Sequence, residues 1–297
     1  MSSTAGRGST EHAMPPEPAS AQQQRRADHD AELRPPRTRT KRVGLRDRAR
    51  DLRRRTLPAR IPLLGQSDYR PFLITTRSRT GSTMLVERLD SHPEIEADGE
   101  LLQHSDHRPL EERLAGIFGP RRRGVQAYGF KIFHYHPFGD KSGQVWELLA
   151  ERKDLRILHL RRRDTLRTLA SLRIAEKAAT WHRRADGRGH LPLAQRRIRL
   201  DPEDIRRAAR IAEWADACPA ERFPDHAILR VDYEDLVERP EAENRRILEF
   251  LGAAPHALHT TLVRQNSEAL ADLIENFDEL RRLFTGTPLA SWFEEAG

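Results

Sequence analysis

The sequence predicts an α/β fold: a central, mostly parallel sheet flanked by helices in three layers. Two observations predict it. From about residue 69, short apolar runs alternate with longer amphipathic ones, the pattern of parallel strands joined by helices on both faces. At Phe72–Leu89, "FLITTRSRTGSTMLVERL", an apolar run passes through a basic, hydroxyl-rich turn with one glycine into an amphipathic stretch. That is the layout of a strand, an anion-binding loop and a helix.

"PFLIT" (71–75) reads as a buried strand, and "STMLVERLDSH" (82–92) as a helix with Met84, Leu85 and Leu89 on one face and Pro93 ending it. "YGFKIF" (128–133) is the second strand. "SGQVWELLAERK" (142–153) has helical spacing at Val145, Leu148 and Leu149, and "LRILHL" (155–160) is the third strand. Asp164 is placed to cap a helix running through Leu166, Leu169 and Leu172. A helix over 202–218, a fourth strand over 227–233 and a helix over 241–252, stopped by Gly252, follow. Residues 181–202 have no clear period and read as a loop or insertion.

Charge is distributed unevenly along the 297 residues. Residues 1–60 hold 15 Lys and Arg against 7 Asp and Glu, which leaves 37 against 38 for the remainder. The high pI, about 10.0, therefore belongs to the tail. That tail is rich in Pro, Gln and Arg and poor in large apolar residues, so a disordered basic extension over 1–60 and a folded domain over 61–297 are expected. No aromatic residue interleaves its arginines as a base-stacking site would require, so no specific nucleic acid is expected. The lone Cys218 excludes an intramolecular disulfide and a cysteine zinc cluster. No uncharged run reaches about 18 residues and the N-terminus has no apolar signal core, so a cytoplasmic protein without a transmembrane segment is expected. Residues 269–284 are amphipathic enough to pack on a partner, which leaves a homodimer open.

In parallel sheets ligands bind at the carboxyl ends of strands, which directs attention to two loops. In "RSRTGST" (77–83), Gly81 permits close backbone approach, and the amides of Gly81, Ser82, Thr83 and Met84 would open the new helix toward an anion. Thr80, Ser82 and Thr83 add hydroxyls; Arg77 and Arg79 add guanidinium forks suited to tetrahedral oxyanions. The second loop, "LHLRRRDTLRTLAS", places Arg161–Arg163 where a magnesium-dependent phosphate enzyme would normally carry an aspartate. Arg163 and Ser171, eight apart, are placed to face one anion. A single ligand with anionic groups at both ends would satisfy both loops, and an adenosine with a 5′-phosphosulfate and a 3′-phosphate has that shape.

These residues resemble the PAPS-dependent sulfotransferases, in particular the bacterial carbohydrate type that includes nodulation-factor and trehalose sulfotransferases. "RTGST" (79–83) is similar to the family's 5′-phosphosulfate loop, with Arg79 at the place of its common lysine. Arg163 and Ser171 match its 3′-phosphate pair, and Thr165 stands where a proline is usual. "GELL" (99–102) resembles the Gly-Glu pair of the carbohydrate type. "VDYEDLVERPEAENRRILEFLG" (231–252) and residues 266–292 resemble further family segments, so the likeness covers roughly 70–292.

The resemblance implies a P-loop-like three-layer fold. It also implies sulfuryl transfer from PAPS, without a metal, to a small-molecule or glycan hydroxyl or amine. Arg79 is then the candidate cation for the leaving phosphate and Glu100 the candidate base. Within "FKIFHYH", His134 is a rival base, with an unperturbed pKa of about 6.5, and Lys131 is a second candidate to support the leaving group. His104, His107, Trp181 and His182 are candidate acceptor contacts. Two other readings remain: a P-loop kinase-like phosphotransferase, and a non-catalytic nucleotide- or nucleic-acid-binding protein.

Overall fold

The computed structural model describes residues 65–294, apart from 105–107, 139, 141, 180, 182–184 and 188–190. The expected basic tail, His107 and His182 lie outside the described residues. Five parallel strands form one sheet: β1 (Arg70–Thr76), β2 (Ile95–Asp98), β3 (Ala127–Phe133), β4 (Arg156–Arg161) and β5 (Ile228–Asp232), in the order β2-β3-β1-β4-β5.

The central strand β1 is buried from Pro71 to Thr76, and its alternate side chains feed two separate cores. Phe72 and Ile74 pack with Leu85 and Leu89 of helix α1 (Ser82–Asp90) and with Ile247 and Leu248 further along the chain. Leu73 packs on the opposite face with Phe130, Trp146, Leu149 and Phe223. The strand period of two thus distributes the apolar side chains between both helical layers, and each such buried side chain contributes about 1.5–3 kcal/mol. Gly129 of β3 is required by the close approach of β1: a Cβ there would lie 2.2 Å from the carbonyl oxygen of Phe72.

Helices α2 (Leu110–Ile117), α3 (Gln144–Glu151), α4 (Thr165–Ala178), α5 (Leu193–Arg196), α6 (Pro202–Arg222), α7 (Tyr233–Glu238), α8 (Pro240–Leu251), α9 (Leu270–Leu273) and α10 (Phe277–Phe284) complete the described elements, with a 3-10 turn at Ala290–Phe293. Asp164 caps α4 by accepting from the Arg167 amide at 2.8 Å, and Gly252 ends α8 in the left-handed conformation.

The structure departs from the sequence reading in several places. β2 was not anticipated, because four residues alternating Ile-Glu-Ala-Asp bury only Ile95 and Ala97. α2 was also absent from it. The amphipathic stretch 269–284 forms two short helices, and its apolar side chains Leu273, Phe277, Leu280 and Phe284 are buried against Leu166, Leu169 and Ile205 of the same chain. The face that suggested a homodimer is therefore covered from within. Among the described residues, no helix is long and apolar enough to cross a membrane.

Candidate active site

The chain leaves β1, crosses to the edge strand β2, returns to β3, and then passes to β4 on the other side of β1. The carboxyl ends of these strands open onto a cavity of about 420 Å³, within the range of small-molecule sites.

Two loops form its basic end, and they brace each other. Thr76 at the end of β1 donates to the Leu160 carbonyl at 2.6 Å and shares a 2.7 Å hydrogen bond with Thr80. Arg77 reaches across to the second loop, donating to Thr165 Oγ1 at 3.1 Å and the Arg162 carbonyl at 3.4 Å. Arg162 reaches back, donating to the Arg79 carbonyl at 3.1 Å. Arg77 and Thr80 are buried beneath the loop and do not line the cavity. Burial lowers the Arg77 pKa to about 10, against the attraction of Asp216, so the guanidinium stays charged at neutral pH.

Arg79, Gly81, Ser82, Thr83 and Met84 do line the cavity. Arg79 has a left-handed backbone, φ 63°, a rarely populated region for a residue with a side chain. Its guanidinium donates to Ser171 Oγ at 3.0 Å, the Trp181 carbonyl at 2.6 Å and Gln265 Oε1 at 2.6 Å. Burial and the neighbouring Arg162 lower its pKa to about 10. Gly81 has φ 84°, and a Cβ there would meet the Tyr233 ring at 2.4 Å, so conformation and space both demand glycine. No side chain caps α1. The first-turn amides, which have no intrahelical partner, are thus left for an anion in the cavity.

The second loop divides its arginines. Arg161 pairs with Asp216 and Asp232. Arg163, at the expected anion position, stands outside the cavity lining, with Asp232 at 3.3 Å and Asp235 at 3.1 Å. Hydrogen bonding to Asp235 raises its pKa. Arg162 lines the cavity instead, over the Tyr233 ring at 4.6 Å, together with Ser171 and the exposed Arg264.

The other end is built on β2 and β3. β2 carries Glu100 to the cavity, where Lys131 of β3 holds it: Nζ lies 2.9 Å from Glu100 Oε1 and donates to Thr83 Oγ1 at 3.0 Å. A carboxylate, an ammonium and the first turn of α1 thus form one connected set. Phe133, Tyr135, Phe138 and Gln103 line the wall beside it. Burial raises the Tyr135 pKa above its usual value.

His134 is not brought to this cavity. It is 1% exposed and packs against Trp146, Trp214 and His159, with ring centroids 5.7–6.2 Å away. His104 is tilted against Phe138 at 5.6 Å, outside the lining, whereas Trp181 lines the cavity. Among the described residues, no group of three or more His, Cys, Asp or Glu is placed to hold a metal ion. The sequence singles out neither Arg162 nor His136 for this site, and gives no role to Tyr233, Arg264 or Gln265. Arg162 lay inside the arginine triplet and Tyr233 inside a quoted family segment, but Gln265 carries no local signal.

The model of the family described as Stf0 sulphotransferase matches residues 136–279, beginning downstream of Arg79, Glu100 and Lys131. Nodulation protein H of Rhizobium tropici is 32% identical over 240 residues, covering 75% of this chain and 93% of that one. Nodulation protein H of Rhizobium meliloti is 29% identical over 243 residues, covering 76% and 96%. Among solved structures, a sulfotransferase from Alicyclobacillus acidocaldarius aligns with a TM-score of 0.43 at 17% identity, covering 75% of this chain and 98% of that one.

Proposed function

The chain belongs to the Stf0 sulphotransferase family, and on that footing we propose that it transfers a sulfuryl group from PAPS to a hydroxyl or amine of a carbohydrate, glycolipid or secondary-metabolite acceptor. One observation carries the reading. The uncapped start of α1 and the guanidinium of Arg79 line the same cavity as the Glu100–Lys131 pair, so an anionic donor and a proton acceptor can meet there.

PAPS supplies a sulfur whose bond to the 5′-phosphate oxygen breaks as a bond to the acceptor oxygen or nitrogen forms. Glu100 takes the acceptor's proton. Arg79 and the amides of Ser82–Met84 stabilise negative charge on the leaving phosphate, as donors fixed in place before the reaction. Lys131 stands between the two, positioned to turn from Glu100 toward the departing oxygen. Arg162, Ser171 and Arg264 receive the donor's second phosphate, while Arg163 remains with its carboxylates.

The test is turnover of the full chain with PAPS and a panel of sugar, glycolipid and phenolic acceptors in EDTA. Formation of 3′-phosphoadenosine 5′-phosphate together with a sulfated product is expected. Dependence on magnesium and ATP, or release of the bisphosphate with no product from any acceptor, would overturn the reading.

A further inference from the structure

Beside the Glu100–Lys131 pair sits a histidine in a fixed orientation. His136 is 2% exposed and lies in the turn after β3. Its ring packs on Phe133 at 4.8 Å, Phe138 at 4.8 Å and Tyr135 at 5.3 Å. The Phe133 amide donates to its Nδ1 at 3.3 Å. A neutral imidazole with one nitrogen accepting carries its proton on the other. Nε2–H therefore faces Glu100, whose Oε2 is 3.9 Å away. That buried nitrogen has no hydrogen-bond partner, an arrangement that calls for an explanation. Burial first, then the charge of Lys131 and the nearby His104, lowers the His136 pKa to about 3 and keeps the ring neutral.

We propose that His136 is a positioning residue for Glu100: its Nε2–H closes onto Oε2 and keeps the carboxylate aimed when Lys131 releases Oε1. The inference rests on Glu100 being the base. A carboxylate held by Lys131 alone would follow the ammonium as it turns toward the leaving oxygen. A second donor from a rigid ring removes that coupling. Hydrogen bonds at catalytic groups are often long without substrate and shorten in the reacting complex, and the 3.9 Å separation is a gap of that kind. No proton passes through His136; it begins and ends the reaction neutral, with its proton on Nε2.

The experiment compares His136→Phe, His136→Gln and Glu100→Gln in the full chain, measuring kcat, KM for PAPS, and the Kd for 3′-phosphoadenosine 5′-phosphate. Glutamine places an amide N–H near the position of Nε2; phenylalanine keeps the packing and removes the donor. A hydrogen bond to a charged group corresponds to roughly a 10–100-fold effect. His136→Phe is expected to lose about that in kcat at unchanged Kd. His136→Gln is expected to recover most of it, and adding His136→Phe to Glu100→Gln to cost nothing further.

Equal loss in the Phe and Gln variants at unchanged Kd would overturn the inference, as would full kcat in His136→Phe or an additive double variant. Glu100→Gln separates the two readings. If it retains wild-type kcat, the base assignment fails and the inference fails with it. If it is slow while His136→Phe is not, only the inference fails.

Discussion

At one end of the cavity three arginines, Arg79, Arg162 and Arg264, stand in the lining; at the other, the Glu100 carboxylate pairs with Lys131, with the buried His136 behind it. At the first end the half-buried Arg79, with its pKa lowered to about 10, stays charged at neutral pH. The second depends on protonation and on angstrom-scale placement. On the proposed reading, the contrast assigns grip and proton transfer to different strands. In that proposal the loops after β1 and β4 hold the donor, and the ends of β2 and β3 supply the base and its partners.

Variants at the two ends should therefore fail differently. The largest effect is expected for Glu100→Gln, a loss of roughly 10²–10⁴-fold in turnover with the bisphosphate Kd unchanged. A parallel loss of affinity would mean that Glu100 belongs to the grip, and the division would break. Arg79→Ala is expected to weaken bisphosphate binding by roughly 10–100-fold and to lower turnover as well; calorimetric titration and initial rates measure both.

Arg162→Ala and Arg163→Ala sharpen the comparison within one loop. The first should weaken bisphosphate binding by about tenfold. The second should leave affinity nearly unchanged and lower stability by about 1 kcal/mol or less, since its ion pairs are solvent-screened. The reverse ranking would place the second phosphate on Arg163.

A separate effect is on stability against pH. The folded pKa of His136 is lowered to about 3 from an unfolded value of about 6.5. Between those values the unfolded chain binds more protons. The neutral ring's contribution is therefore complete above about pH 6.5 and is lost as pH falls toward 3. His136→Phe should remove roughly 1.5 kcal/mol of the stability difference between pH 6.5 and 5, read by denaturant titration at both pH values. The Arg79 end contributes nothing to that slope.

The basic end was the more legible in sequence because its pieces are contiguous: a strand, Arg79 through Met84 and a helix lie in one short run. What the sequence could not decide was which arginine of a triplet faces inward. That choice is made by Asp232, Glu234 and Asp235, about seventy residues downstream, which claim Arg163 and leave Arg162 to the cavity. The other end was legible through Gly99–Glu100 and Lys131, although β2 is too short and too acidic to read as a strand. His134 and His136 could not be separated by strand periodicity, since the turn at Tyr135 breaks the period of two before the second histidine is reached. Trp181 and Gln265 reach Arg79 from distant segments that carry no motif.

The most direct test is calorimetric titration of the full chain with 3′-phosphoadenosine 5′-phosphate in EDTA, repeated with Arg79→Ala. One site per chain that binds without metal and is weakened at least about tenfold by the substitution is the result predicted for an arginine-lined donor pocket. Absence of binding, a requirement for magnesium, or equal affinity in Arg79→Ala would contradict it.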